Sequence, residues 1–429
     1  MVYYKMANAI LNSNSSSALV SALSNVSSSK NPFEYSYASK GTLGYSSVPA
    51  HARVVSTSQT SNVGFSQNND FQILKSGLLE SAMIKYVVTN STGANVFVNP
   101  NLGNLLLEEI QLISQGKVLQ SSKPFLRACL ASSAPYQRKK NMEAMMALDT
   151  TNVRKTMANG SSLTFYVPLG FSIFDCPANY LDTNFSEKVQ VRVRTASANA
   201  YADDGASPAV AESLTLTSME LVQVFRMLDS ETESKTISAN FAEDDLVKVL
   251  WSGIEEATQK TLSASTGQTI KHTITTNRCI AKLYIAVEDE ADATATDLAT
   301  QQIGVYKALS NIKISANGQT FVDEDAELIA YCLGIDCGSE DSPNCVSNYF
   351  DTGAPAHTKN IYEFQLGLSK GTDKFQGMIS AREINDLSVE VTLAGTATAH
   401  SHKLLVAMIC PALQSTSSAS GKISTSLSS

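Results

Sequence analysis

Glu108–Leu130 reads EEIQLISQGKVLQSSKPFLRACL, and Ser310–Leu333 reads SNIKISANGQTFVDEDAELIAYCL. In each stretch apolar residues alternate up to a polar–Gly–polar step. A second short strand pattern follows, and a Leu/Ala-rich run of helical character closes on Cys-Leu. Alternation with period two marks a strand with one buried face. A glycine between polar residues at that point marks a hairpin turn, where positive φ is needed. Gly116 and Gly318 are therefore read as structural turn residues, one in each copy of the same hairpin.

The correspondence continues in both directions. Ile110, Leu112 and Gly116 match Ile312, Ile314 and Gly318 at an offset of 202, and Cys129-Leu130 matches Cys332-Leu333 at 203. Phe165–Phe171 (FYVPLGF) resembles Tyr362–Leu368 (YEFQLGL) at 197, and Val189, Val191 and Val193 match Leu387, Val389 and Val391 at 198. The blocks keep one order, and the offset changes only where a loop absorbs it. The chain therefore reads as an internal duplication with units near Phe65–Leu228 and Ser238–Leu413. A mostly-β unit of that size, with about eight strands, is a sandwich.

Other strands follow the same logic. In Glu187–Arg194 (EKVQVRVR) the valines point one way and Gln190, Arg192 and Arg194 the other. Ile384–Leu393 puts Leu387, Val389, Val391 and Leu393 on an inner face. Ala82–Thr89 and Ile280–Val287 are also strand-like. Helical periodicity is confined to short stretches such as Asn141–Leu148 and Asp323–Leu333. Residues 1–62 read as an N-terminal arm rich in Ser, Asn and Ala, in which Ala18, Leu19, Ala22, Leu23 and Val26 fit a short amphipathic helix. The expected division is thus an arm over 1–62, sandwiches over 63–235 and 236–413, and a flexible Ser/Thr-rich tail over 414–429.

The chain has 429 residues, 43% hydrophobic and 17% charged. The charged share is below the ordinary one, and Ser, Thr, Asn and Ala replace it, which suits short strands and turns. No apolar run is long enough to span a membrane as a helix. The first thirty residues have no basic segment followed by an unbroken apolar block, so secretory export is not expected. Seven scattered cysteines in a large chain point to reduced thiols and synthesis in a cytoplasm. The net charge of −8 divides unevenly: residues 1–200 carry 17 Lys+Arg and 10 Asp+Glu, and the remainder carries 15 and 30. A chain so divided can associate with its own copies.

Chemistry is thinly represented. His400-Ser401-His402 would share a strand face, as in cupin metal sites, but no Glu follows in Lys403–Cys410 and no further His follows. A solvent-facing pair at a strand start is expected instead. Cys332, Cys337 and Cys345 lack paired C-x-x-C spacing. No nucleophile elbow, P-loop or dinucleotide fingerprint occurs. No catalytic residue, metal or cofactor is expected. Arg138, Lys139 and Lys140, with Arg154 and Lys155, are candidates for phosphate contact on a lipid head group or a nucleic acid. Without aromatic interleaving, sequence-specific nucleic-acid binding is not expected.

Two tandem units, an arm and a tail, with Ser161–Phe174 (SSLTFYVPLGFSIF) leading into the strand EKVQVRVR, resemble the double jelly-roll major capsid proteins of tailless icosahedral double-stranded DNA viruses, including membrane-containing bacteriophages. The likeness covers roughly residues 65–412 and rests on architecture. It implies an all-β chain of two antiparallel jelly-roll sandwiches with short connecting helices. It also implies homotrimeric pseudo-hexagonal capsomers, assembly with neighbouring capsomers and with penton and minor capsid proteins, and a place in the virion capsid after synthesis in host cytoplasm. An internal membrane could lie beneath such a shell. The arm would run along its inner side, and Thr195–Ser213, Glu288–Gln302 and Asp336–Lys359 would lie outside or at capsomer edges. The rival reading is a cytoplasmic two-domain β-sandwich, carbohydrate-binding or a degenerate bicupin.

Overall fold

The structure, a computed structural model, describes residues 53–59, 63–134, 136–146, 155–174, 181–183, 186, 188–206, 210–226, 246–290, 304–337, 358–366, 378–384, 386–397, 399–417 and 423–427. The first half holds strands β1 (Arg53–Gln59), β2 (Asn68–Gln72), β3 (Leu78–Thr89), β4 (Leu107–Ser114), β5 (Lys117–Ser122), β6 (Ser162–Pro168), β7 (Val189–Thr195) and β8 (Thr215–Arg226). The second half holds β9 (Leu246–Thr261), β10 (Thr269–Thr273), β11 (Lys282–Glu290), β12 (Leu309–Ala316), β13 (Gln319–Asp325), β14 (Tyr362–Gln365), β15 (Ser388–Leu393) and β16 (Ser401–Thr416). Helices α1 (Pro124–Ser132) and α2 (Tyr136–Met146) follow β5, and α3 (Ala326–Cys337) follows β13.

Strand order makes the repeat explicit. The first sandwich pairs β1-β8-β3-β6 in one sheet and β2-β7-β4-β5 in the other; the second pairs β9-β16-β11-β14 and β10-β15-β12-β13. Adding eight to each strand number of the first half gives the second. Within each half nearly every step along the chain changes sheet, and all these pairings are antiparallel, which is the double Greek key of a jelly roll.

Alternation places the cores. Ile84, Tyr86 and Val88 of β3 and Leu221 of β8 face Leu112 of β4 and Val191 and Val193 of β7 across the first sandwich. Leu283, Ile285, Val287, Leu404 and Val406 face Ile312, Ile314, Val389 and Val391 across the second. On the solvent side of β7, Arg192 meets Asp70 at 2.8 Å and Arg194 meets Glu108 at 3.0 Å.

The two hairpins have one geometry. Gln115 and Gly116 have φ of 49° and 75°, and Asn317 and Gly318 have 52° and 74°. Positive φ at both central residues is a type I′ turn, whose twist matches the strands it joins. Each hairpin then carries an irregular step at the equivalent point, next to Leu119 and next to Phe321. A Cβ at Gly318 would meet nothing within 4 Å, so its replacement is resisted by backbone conformation alone. Gly318→Ala is expected to lower stability by about 1 kcal/mol, read as a shift in the urea midpoint.

Three expectations change. The arm does not extend through residue 62, because Arg53–Gln59 is β1 and pairs with β8 from Arg53↔Arg226 to Gln59↔Glu220. RVVSTSQ lacks apolar alternation because it is an edge strand held by backbone pairing, with Val55 in solvent. The segment 414–429 is not a plain tail: β16 runs on to Thr416, and Ile423–Leu427 returns antiparallel to it, with Ile423 buried in the first sandwich's core cluster. One isoleucine among serines gives no periodicity to read. Finally, the run from Asp323 is not helical throughout, since Asp323–Asp325 complete β13 and α3 begins at Ala326. The amphipathic stretch Ala18–Val26 lies outside the described residues.

Candidate functional site

The region with the richest chemistry is the junction between the sandwiches. Helix α1 is fixed at its start by Pro124, whose missing N–H costs nothing in the first turn. The helix lies against the outer face of the β9-β16-β11-β14 sheet. There Phe125, Leu126, Ala128 and Cys129 form a buried apolar cluster with Trp251, Tyr284, Ala286, Leu405, Ala407 and Ile409. Phe125 and Tyr306 meet edge to face with centroids 5.5 Å apart.

Polar groups pin this contact. The Leu126 amide donates to Glu255 Oε1 at 3.1 Å, Gln120 Nε2 donates to the Trp251 carbonyl at 3.2 Å, and the Ser133 and Tyr284 hydroxyls are 2.9 Å apart. Thr358 Oγ1 donates to Glu143 of α2 at 2.6 Å, a second link between the halves. Burial pushes the Glu255 carboxyl above its usual range, opposed by the Leu126 amide and by Lys123 and Arg127.

Arg127 organises the first-half side. Its guanidinium is buried and donates to Asn104 Oδ1 at 2.8 Å, to the Asn104 and Ser122 carbonyls at 3.0 Å, and to the Leu107 carbonyl. Asn104 Nδ2 in turn donates to the Pro124 carbonyl at 2.9 Å. Burial lowers the Arg127 pKa to about 10, against the pull of Glu255, Tyr86 and Tyr306. Sequence reading passed over Arg127, although an arginine framed by Leu126, Ala128 and Cys129 within an apolar helical run was a visible signal.

The expected contact residues do not converge on this junction. Gly116 and Gly318 sit at the two hairpin tips. Arg138, Lys139 and Lys140 lie on α2, where Lys140 Nζ is 3.9 Å from Glu143. Lys155 belongs to a separate small sheet, Lys155–Met157 pairing with Val96–Val98 and that with Ala202–Asp203. Arg154 lies outside the described residues, as do Cys345 and the side chains of Cys332 and Cys337. His402 is not solvent-facing. It is buried, with Nδ1 3.1 Å from the His400 carbonyl and Nε2 3.6 Å from Asp289 Oδ1. The strand β11 supplies that partner, which a scan for nearby residues along the chain does not reveal. Among the described residues no group of three or more His, Cys, Asp or Glu is placed to hold a metal ion.

No protein-family model matches the sequence, and no curated protein sequence matches it. Solved structures do match. A subunit of the PBCV-1 virus capsid superposes with a TM-score of 0.62 over 88% of this chain and 97% of its own, at 16% identity. The Faustovirus major capsid protein gives 0.62 over 95% and 98%, at 10% identity. The chain has the double jelly-roll fold. The mavirus major capsid protein shares it, with a TM-score of 0.54 over 91% of this chain and 94% of its own, at 12% identity. In this double jelly roll, the junction just described is where one jelly roll grips the other. None of the described helices is long and apolar enough to cross a membrane.

Proposed function

We propose that this chain is a major capsid protein: it closes into homotrimers with a pseudo-hexagonal outline, and these tile an icosahedral viral shell. The observation that carries this reading is the strand-for-strand repetition of one jelly roll within a single chain. Three chains then present six similar units, so a three-fold object can occupy a hexagonal position while its interfaces close. Solved proteins of the same fold are capsid subunits, which supports the reading. The role is structural rather than catalytic, and its first partner is the protein itself. Penton and minor capsid proteins, and a membrane beneath the shell, are further partners in this reading. The basic residues Lys140 and Lys155, with Arg138, Lys139 and Arg154, are proposed contacts to phosphate groups on that inner side.

Light scattering on the eluting protein should give a mass three times that of the chain, which is 45.9 kDa. Negative-stain images of assembled material should show hexagonal capsomers. A protein that stays monomeric at every concentration sinks the proposal. Removing residues 1–30 should leave the trimer intact and lower the yield of closed shells, since the arm is assigned to ties between capsomers.

A further inference from the structure

One dipeptide occurs twice in the chain and is held differently each time. Asn159-Gly160 and Asn317-Gly318 are its two Asn-Gly steps. Both lie in turns, and all four residues are exposed. The two glycines share a left-handed φ, 73° and 74°, and a Cβ on either would meet nothing within 4 Å. Their surroundings differ at the backbone. The Gly160 amide donates to the Asn90 carbonyl at 2.8 Å. Its neighbours are engaged as well, Asn159 with Asn95 Oδ1 at 3.2 Å and Ser161 with the Ala158 carbonyl at 3.0 Å.

At the second hairpin the Gly318 amide has no such role. A type I′ turn closes through the amide of the residue after its two central positions, here Gln319, which faces Ala316 at the start of the β12–β13 ladder. The amide of the second central residue lies outside both the turn bond and the ladder. That nitrogen is the one that can attack an asparagine side chain. The Gly318 nitrogen bonds to Asn317 Cγ, the bond from Cγ to Nδ2 breaks, and Nδ2 leaves as ammonia with the amide proton. Glycine has no side chain to hinder the approach. Water then opens the five-membered imide at either carbonyl, leaving aspartate or isoaspartate. Water is the sole co-reactant, and nothing is oxidised or reduced.

We infer that Asn317 is a site of spontaneous modification, cyclising on the Gly318 amide to leave aspartate or isoaspartate at the tip of the second hairpin, while the bonded Gly160 amide protects Asn159. The turn itself sets this up: positive φ at both central positions favours Asn-Gly, the pair least hindered in closing the imide. The first hairpin meets the same demand with Gln115-Gly116. Glutamine would have to close a six-membered ring through one more rotatable bond, so that tip is resistant. Isoaspartate routes the main chain through Cγ and so adds one backbone atom before Gly318, and either product adds a negative charge. Two hairpins that begin with one geometry therefore diverge with time. The modification is independent of the capsomer reading.

The test uses the full-length folded protein, held in mildly alkaline buffer at physiological temperature. Samples are digested, and mass spectrometry follows the peptides that hold Asn317 and Asn159. Methylation by protein isoaspartyl methyltransferase marks the isoaspartate in each. A parallel incubation in urea removes the fold. In the folded protein Asn317 is expected to convert about 10-fold faster than Asn159, the factor that one hydrogen bond supplies when it must be broken first. In urea the two should convert at similar rates. Equal rates in the folded protein, or slower conversion at Asn317, overturn the assignment. So does a difference that persists in urea, because the flanking sequence and not the amide would then be its cause. Asn317→Gln should slow the change at that peptide to the level seen at Gln115-Gly116. An unchanged rate in that variant would put the modification on another residue and overturn the assignment.

Discussion

Arg127→Ala is expected to remove about 3–5 kcal/mol of unfolding free energy. The guanidinium reaches Asn104 Oδ1 and the carbonyls of Asn104, Ser122 and Leu107, all within the region where β5, α1 and the start of β4 converge. Alanine leaves those carbonyls buried without a donor, and each orphaned group costs about 1–3 kcal/mol. Arg127→Lys should recover only part of the loss, because one ammonium cannot reproduce a planar fork aimed at several acceptors. The sign of the pH effect follows from the lowered pKa of about 10. A base depressed in the folded state binds fewer protons there than in the unfolded chain, so its own contribution to stability rises with pH only above about 10. At neutral pH the buried charge is a cost to the folded state, offset by the hydrogen bonds that alanine would delete. Urea unfolding followed by circular dichroism checks the magnitude. A loss under 1 kcal/mol would mean that water or a shifted backbone replaces the guanidinium.

How legible the fold was depends on what covers each strand. β7 could be read from EKVQVRVR because one face meets the core and the other meets water, where Arg192 and Arg194 find Asp70 and Glu108. β11 is less plain. In Lys282–Val287 every residue is buried, since α1 covers Tyr284 and Ala286 from outside while Leu283 and Ile285 face the core. Such a strand shows β propensity without alternation. β1 and Ile423–Leu427 escaped reading because edge pairing uses backbone groups, which every sequence possesses. The hairpin turns were plain because a type I′ turn limits the residues it accepts. Arg127 relies on Asn104, 23 residues away, Glu255 on the Leu126 amide, 129 residues away in the other half, and His402 on Asp289, in another strand of its sheet, so no local window contains these partners.

The junction explains why duplication alone did not produce two interchangeable halves. Arg127 has Ala330 at its counterpart position, and Phe125 and Ala128 have Leu328 and Tyr331. The first helix is therefore tied into its own sandwich by a buried cation while its apolar face is fixed on the second. The second helix keeps an apolar face but has no such cation. Equivalent folds have thus diverged at the residues that fix the first helix on the second sandwich.

Phe125→Ala tests the within-chain contact directly. Phenylalanine truncation in a packed interior costs about 3–5 kcal/mol when the site cannot collapse. Collapse is resisted here, because Leu126 and Gly253 already pack so closely that a Cβ on Gly253 would lie 2.2 Å from a Leu126 methyl. Phe125 also gives up its edge-to-face contact with Tyr306. The readout is built in: Trp251 is the one tryptophan in the chain and belongs to the same buried cluster. Its emission should shift to the red in the folded variant as water reaches the cavity. Its unfolding transition should also move to lower urea by the stated free energy. The two sandwich cores contain none of these side chains, so an early loss of tryptophan signal with circular dichroism retained would show the jelly rolls parting before either unfolds. Coincident transitions at the parental midpoint would instead show that Phe125 adds little, and that the polar links from Leu126 to Glu255 and from Thr358 to Glu143 hold the halves together.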